Sequence, residues 1–261
     1  MGAGSPFDRP DRHFNRLDGW TWIGCYGGYY LQANTLVEQG FEHGFFTRLW
    51  HGRGPDALAG YISVSTSVHR PQQVHSGVVL PASQATSPPW PEADGLVSDR
   101  GAQSLWVCGA DCTPVLIADP ATGHVAACHA GWRGVAARIL PTAVEQLEAR
   151  GADRADLVVA LGPAISGARY QVGDDVVSAI GASLGSTAAA RTDLIKAGPF
   201  RMTPNRSGAA LICAQPPCFN SPRQDSIQTR SATALSAQQV NRSCSTPGAV
   251  IRSRRCSGAA S

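Results

Sequence analysis

Three short segments hold side chains able to ligate a metal or move a proton: QQVHS at 72–76, GADCTPVLIADP at 109–120 and AACHAGWRG at 126–134. Each sets one soft or borderline ligand, His75, Cys112 or His129, at the end of an apolar run. If the three runs are strands lying side by side, their ends converge. One thiolate and two imidazoles then make a three-ligand zinc site whose fourth position is open to water or substrate, as in catalytic rather than structural zinc sites. The same residues admit plainer readings. A Cys beside a strand is commonly a small buried hydrophobe, and a single His is commonly a hydrogen-bonded core or surface residue. A thiol beside an imidazole can also act as nucleophile and base without a metal. There is no CxxC pair and no HExxH helix to fix the ligand geometry locally.

Other polar residues cluster near these segments. Arg48 in FFTR and Arg133 in GWRG are candidates to bind phosphate or a nucleoside, because a guanidinium meets such oxygens bidentately; the alternative is a structural ion pair. Asp111, next to Cys112, reads as a partner that orients a ligating His, as a proton carrier, or as a loop cap. Asp94 in EADGLVSD reads as a turn-holding residue and Asp119 as a turn cap. Trp132 could stack on a base or be core, and Cys128 should point to the opposite strand face from His129 and be buried.

The elements that would carry these residues are short. WTWIGCYGGYYL (20–31) reads as a strand and turn, and Gly40–Arg48 as a strand ending in Arg. Residues 52–60 read as a turn-rich linker and 83–95 as an exposed Pro- and Ser-rich loop. SLWVC, PVLIAD and HVAAC are apolar runs broken by turn signals and predict a buried sheet. In WRGVAARILPTAVEQLEARG, Val135, Ile139, Val144 and Leu147 recur at helical spacing, Pro141 should bend or divide the helix, and Gly151 should stop it. DLVVALGPAI (156–165) predicts a further strand, and Val176, Val177 and Ile180 the apolar face of a short helix. The alternation predicts an α/β fold with its chemistry on loops at strand ends.

The chain has 261 residues, 43% hydrophobic and 16% charged, which is globular composition for one domain. The net charge of +3 is uneven. Residues 192–261 hold nine Lys/Arg and two Asp/Glu, a surplus of +7 that leaves −4 for residues 1–191. A slightly acidic folded part gives no reason to propose nucleic acid as the main partner, since phosphate binding needs clustered Lys and Arg. No run reaches the roughly 18 apolar residues of a membrane span, and MGAGSPFDRPDRHF lacks a signal-peptide core, so a cytoplasmic protein with reduced thiols is expected. From 192 onward the Ser-, Arg-, Pro- and Cys-rich sequence shows no sustained period; it reads as an atypical basic tail, either disordered or translated out of frame.

The blocks HGFFTR, SVHRPQQVHS, EADGLVSD, GADCTPVLIADP, HAGWRG and GPAISGARYQVG, in this order over about residues 40 to 185, resemble the bacterial YfiH/YlmD family, also called laccase-domain or polyphenol oxidase proteins. The resemblance implies a single catalytic domain over 1–191, layered as an α-β-β-α sandwich. It implies Zn2+ ligands at His75, Cys112 and His129. It further implies phosphorolysis of purine nucleosides, methylthioadenosine included, and deamination of adenosine, with nucleoside and phosphate as partners; Cys112, Arg48, Arg133 and Asp111 are the expected catalytic set. Two departures stand out. Gln171 occupies a place where such proteins often have a carboxylate, and the tail lacks their closing Cys-Thr pair and aromatic-Ser-Tyr-Arg-Arg stretch, so the last part of the fold is expected to be missing.

Three rival functions follow. A copper-dependent phenol oxidase of the multicopper type needs about ten His ligands, many in HxH pairs, whereas this chain has seven His and no HxH; copper could still occupy the same Cys/His set. A Cys-His hydrolase or amidase, of the kind that edits cell-wall precursors, would use Cys112 as nucleophile. An inactive, truncated relative is the third. Oligomeric state is left open by the sequence.

Overall fold

The aromatic opening folds as β1 (Trp20–Cys25) paired antiparallel with β2 (Gly28–Ala33), so that every second residue turns inward. A computed structural model of the chain describes residues 18–25, 28–63, 67–167, 169–184, 200–202, 209–211 and 248–254. After β2 come helix α1 (Asn34–Glu38), strand β3 (His43–Phe46), helix α2 (Pro55–Ile62) and strands β4 (Ser67–His69), β5 (Val79–Pro81), β6 (Gly95–Val97), β7 (Gln103–Val107), β8 (Thr113–Ala118) and β9 (Val125–Ala130). Helices α3 (Trp132–Ala136) and α4 (Ile139–Glu148), strands β10 (Val158–Leu161) and β11 (Gln171–Val172) and helix α5 (Asp174–Ser183) follow. Three strands fall beyond residue 191: β12 (Phe200–Met202), β13 (Ala209–Leu211) and β14 (Ala249–Arg252).

The strands form a six-stranded sheet of order β1-β2-β3-β14-β7-β4, a five-stranded sheet of order β10-β8-β9-β6-β5 and a small sheet of order β11-β13-β12. The two large sheets are stacked. Leu31, Phe45, Leu105 and Ile251 of the first meet Leu96, Leu116, Val125 and Ala127 of the second in one buried cluster. On the outer face of the first sheet, Tyr30, Phe46, Trp106 and Val250 pack against Leu58 and Ala59 of α2. On the outer face of the second, Val97, Val115, Ile117 and Cys128 pack against Ile139, Ala143, Val144 and Leu147 of α4. The order of layers is therefore α2, sheet, sheet, α4, the expected α-β-β-α sandwich.

Several local expectations need correction. Residues 52–60 are no linker: Pro55 opens α2 at a position where its missing N–H costs nothing. The helix after Trp132 is divided at Arg138, which is left-handed at φ 63°, and not at Pro141. Pro141 sits in the first turn of α4, where amide N–H groups have no intrahelical acceptor in any case. Gly151, at φ +94°, ends the helix as expected. The loop 83–95 is exposed only in part, since Ala93, Asp94 and Gly95 are buried.

The tail also departs from its reading. β14 lies between β3 and β7, antiparallel to both, and its Ala249, Val250 and Ile251 are buried. A four-residue strand is too short to show a period, and its alternation is hidden because both faces are covered. Two further short strands, β12 and β13, fall in this region, and residues 192–199, 203–208, 212–247 and 255–261 lie outside the described residues.

Candidate metal centre

His129 stands at the end of β9, and its register partner on β8 is Pro114. Cys112 is the residue just before β8, so antiparallel pairing sets it across from Gly131, just beyond β9. His75 comes from neither strand. It sits on the loop between β4 and β5, with a left-handed backbone at φ 62° that is uncommon for a residue with a Cβ. The expectation that three strand ends supply the three ligands is thus corrected: two do, and a loop supplies the third. The His Nδ1/Nε2 and Cys Sγ atoms all lie within 4.8 Å of one another, with His129 buried, Cys112 half-buried and His75 exposed. The two imidazoles meet edge to face at 4.8 Å.

The surroundings fit a metal. His129 Nδ1 lies 2.8 Å from Asp94 Oδ1, an acceptor-only carboxylate, so Nδ1 carries the hydrogen and Nε2 keeps a lone pair for ligation. Burial draws the His129 pKa down, and His75 adds to this; Asp94 acts in the opposite sense without cancelling it. The ring therefore stays in the neutral form that binds metals. Burial pushes the Asp94 carboxyl up, but hydrogen bonds from His129, Ser76 and Val74 outweigh it and hold the group below its ordinary value. The centre is also cleared of carbon: a Cβ at Gly131 would stand 3.0 Å from Cys112 Sγ and 3.2 Å from His75 Cδ2. A Cβ at Gly134 would stand 2.9 Å from the Ser76 carbonyl, so the glycines of HAGWRG let α3 close on the His75 loop.

That loop is fastened to both sheets. The Gln73 amide donates to the Cys108 carbonyl at 2.8 Å and accepts from the Cys108 N–H at 2.6 Å, which ties it to the end of β7. Asp94, just before β6, accepts from the N–H groups of Val74, His75 and Ser76 and from the Ser76 hydroxyl. Asp94 is thus the residue whose role the sequence understated. It reads as a turn residue because Asp-Gly is a turn signal, and no local pattern points to a His 35 positions on.

The other candidates are placed less centrally. The orienting partner of His129 is Asp94 and not Asp111, which is exposed at the start of the Cys112 loop and whose carbonyl accepts from Ile165 N–H. Arg133 is exposed on α3, its guanidinium 4.4 Å over the Trp132 ring. Arg48 is exposed just beyond β3, on the other sheet. Trp132 packs against Val172, Val176 and Ile180 as core, and Cys128 is buried on the α4 side with its thiol pushed up to about 12. Asp119 caps its turn, accepting from Ala121, Thr122 and the Thr122 hydroxyl. Gln171 is exposed at the start of β11.

Two stacked mixed sheets flanked by helices, with two imidazoles and a thiol converging at one end, define an α/β protein with a candidate transition-metal centre. Over residues 56–202 the chain matches the family described as multi-copper polyphenol oxidoreductase laccase, and it belongs to that family. It is 42% identical over 173 residues to a purine nucleoside phosphorylase of Synechocystis sp., covering 64% of this chain and 65% of that one. It is 37% identical over 169 residues to a purine nucleoside phosphorylase of Deinococcus radiodurans, covering 61% and 66%. The chain thus spans about two thirds of the length of these relatives. Its fold is similar to YlmD from Geobacillus stearothermophilus, with a TM-score of 0.60 at 22% identity over 90% of this chain and 98% of that one. YfiH of Bacillus licheniformis gives a TM-score of 0.58 at 22% identity over 73% and 79%. Among the described residues, no helix is long and apolar enough to cross a membrane.

Proposed function

We propose that the chain is a zinc-dependent purine nucleoside phosphorylase that also cleaves methylthioadenosine and deaminates adenosine. One observation carries the reading: His75, Cys112 and His129 bring their ligand atoms within 4.8 Å of one another at a partly open edge of the two sheets. The relatives named as purine nucleoside phosphorylases support the substrate class. Zinc, if held by these three ligands, would supply a Lewis acid for a nucleoside, phosphate or water oxygen.

The chain's own residues supply the rest. Cys112, His129 and His75 hold the ion. Arg133, two residues past Gly131, and Arg48, just beyond β3 on the other sheet, are assigned to the phosphate and ribose oxygens, which planar guanidinium groups meet bidentately. Asp111, exposed beside Cys112, is assigned to carry the proton that the departing or incoming group requires. Copper would bind the same trio more tightly than zinc, so a preparation exposed to copper is expected to carry it.

The test is metal content together with adenosine turnover in phosphate, for the parent chain and for Cys112→Ala and His129→Ala. About one zinc per chain, lost with turnover in both variants, is the expected result. A folded parent without metal that stays active in chelator and dies on thiol alkylation would instead identify a Cys-His hydrolase.

A further inference from the structure

Asp94 contacts the His129 ring and the His75 backbone without belonging to the ligand trio. It is fully buried, and its carboxylate accepts five hydrogen bonds. They divide by oxygen: Oδ1 takes the His129 ring at 2.8 Å and the His75 N–H at 3.0 Å, while Oδ2 takes the Val74 and Ser76 N–H groups and the Ser76 hydroxyl. The Asp94 carbonyl accepts from the His129 N–H at 2.7 Å as well. One residue therefore reaches the ring of one ligand and the backbone of the other.

We propose that Asp94 is the positioning residue of the metal centre, fixing His129 as the Nδ1–H tautomer and holding His75 in its left-handed backbone conformation, so that the ligand set is assembled before a metal arrives. This rests on the reading of His75, Cys112 and His129 as a metal site. A carboxylate is required because every group facing it is a donor. In Asp94→Asn the amide nitrogen at the Oδ1 place would face the His75 N–H and force His129 to the other tautomer, with a hydrogen on Nε2 where the metal should bind. At the Oδ2 place it would face two backbone N–H groups. The first orientation changes the His129 tautomer, and the second breaks the Val74 and Ser76 bonds that hold the loop carrying His75.

Two readouts on the full chain test this: the 15N shifts of the His129 ring in metal-free protein, and zinc affinity by competition with a chromophoric chelator. The parent is expected to show the Nδ1–H tautomer and to bind zinc. Asp94→Asn is expected to lose at least about tenfold in zinc affinity in either orientation, and to show Nε2–H at His129 where the amide nitrogen takes the Oδ1 place. Leu58→Ala, which destabilises the buried contact of α2 on the far face of the other sheet, is expected to lower Tm without moving either readout. An Nε2–H tautomer in the metal-free parent overturns the proposal whatever the variants do, so the test survives an Asp94→Asn protein that does not fold. Parental zinc affinity in a folded Asp94→Asn protein overturns it as well, as does an equal loss in Leu58→Ala. A parent that binds no zinc fails the metal reading itself and the proposal with it, and the two failures are told apart by the parent alone.

Discussion

Gly131 contributes to the centre by having no side chain. Its φ of −75° is open to any residue, so Gly131→Ala should fold, and its effect should come from the methyl group alone. With that methyl 3.0 Å from Cys112 Sγ and 3.2 Å from His75 Cδ2, the ligands must spread, and zinc affinity should fall about 10- to 100-fold with little change in Tm. Chelator competition beside a thermal melt checks both halves of that expectation. His43 shows a different residue-scale effect. Its Nε2 accepts from Ala33 N–H at 2.8 Å and its Nδ1 lies 2.9 Å from the Phe41 carbonyl, so only the neutral ring fits, and burial pushes its pKa down to about 4. The unfolded chain takes up that proton near 6.5 while the folded chain resists until about 4. Stability is therefore full above about pH 6.5, falls as the pH drops toward 4 and levels below it, by roughly 3 kcal/mol for this group. Urea midpoints across that range should slope less in His43→Phe, which has no proton to gain.

At the scale of elements, legibility followed length and exposure. The apolar runs of β7, β8, β9 and β10 announce themselves because β7, β8 and β9 are buried on both faces and their polar residues, Gln103, Ser104, Thr113 and His129, stand toward the strand ends. α5 was readable from Val176, Val177 and Ile180. α2 was not, because PDALAGYI begins in a Gly- and Pro-rich stretch and carries only Leu58 and Ala59 as buried residues. At the site, the His129 and Cys112 blocks stood out, whereas the loop geometry that brings in His75, and the reach of Asp94 across it, depend on contacts 18 to 35 residues apart in sequence. β14 was the largest omission, and its importance can be measured. Ile251 is fully buried between the sheets, so Ile251→Ala should cost about 2–5 kcal/mol in chemical denaturation, the range for emptying a core site. A cost below 1 kcal/mol would mean that β14 does not sit between β3 and β7.

For the whole molecule, the sandwich places every piece of the candidate centre at one end of the stack, where β8 begins and β9 ends, while the hydrophobic layers lie behind it. The glutamine and aspartate clasps join the His75 loop to both sheets, so the site depends on how the two sheets sit against each other. The placement of β14 then bears on how such a molecule is made. Its partners β3 and β7 leave the ribosome roughly 140 to 200 residues before it, and until residues 249–252 follow, each presents an unpaired edge on what will become the middle of a sheet. Pairing over such separations is intrinsically slow, and open edges recruit other chains. Until β14 follows, the nascent sheet presents two such edges, and the yield of native molecules should depend on slow translation and on chaperones that shield them until β14 enters between its partners.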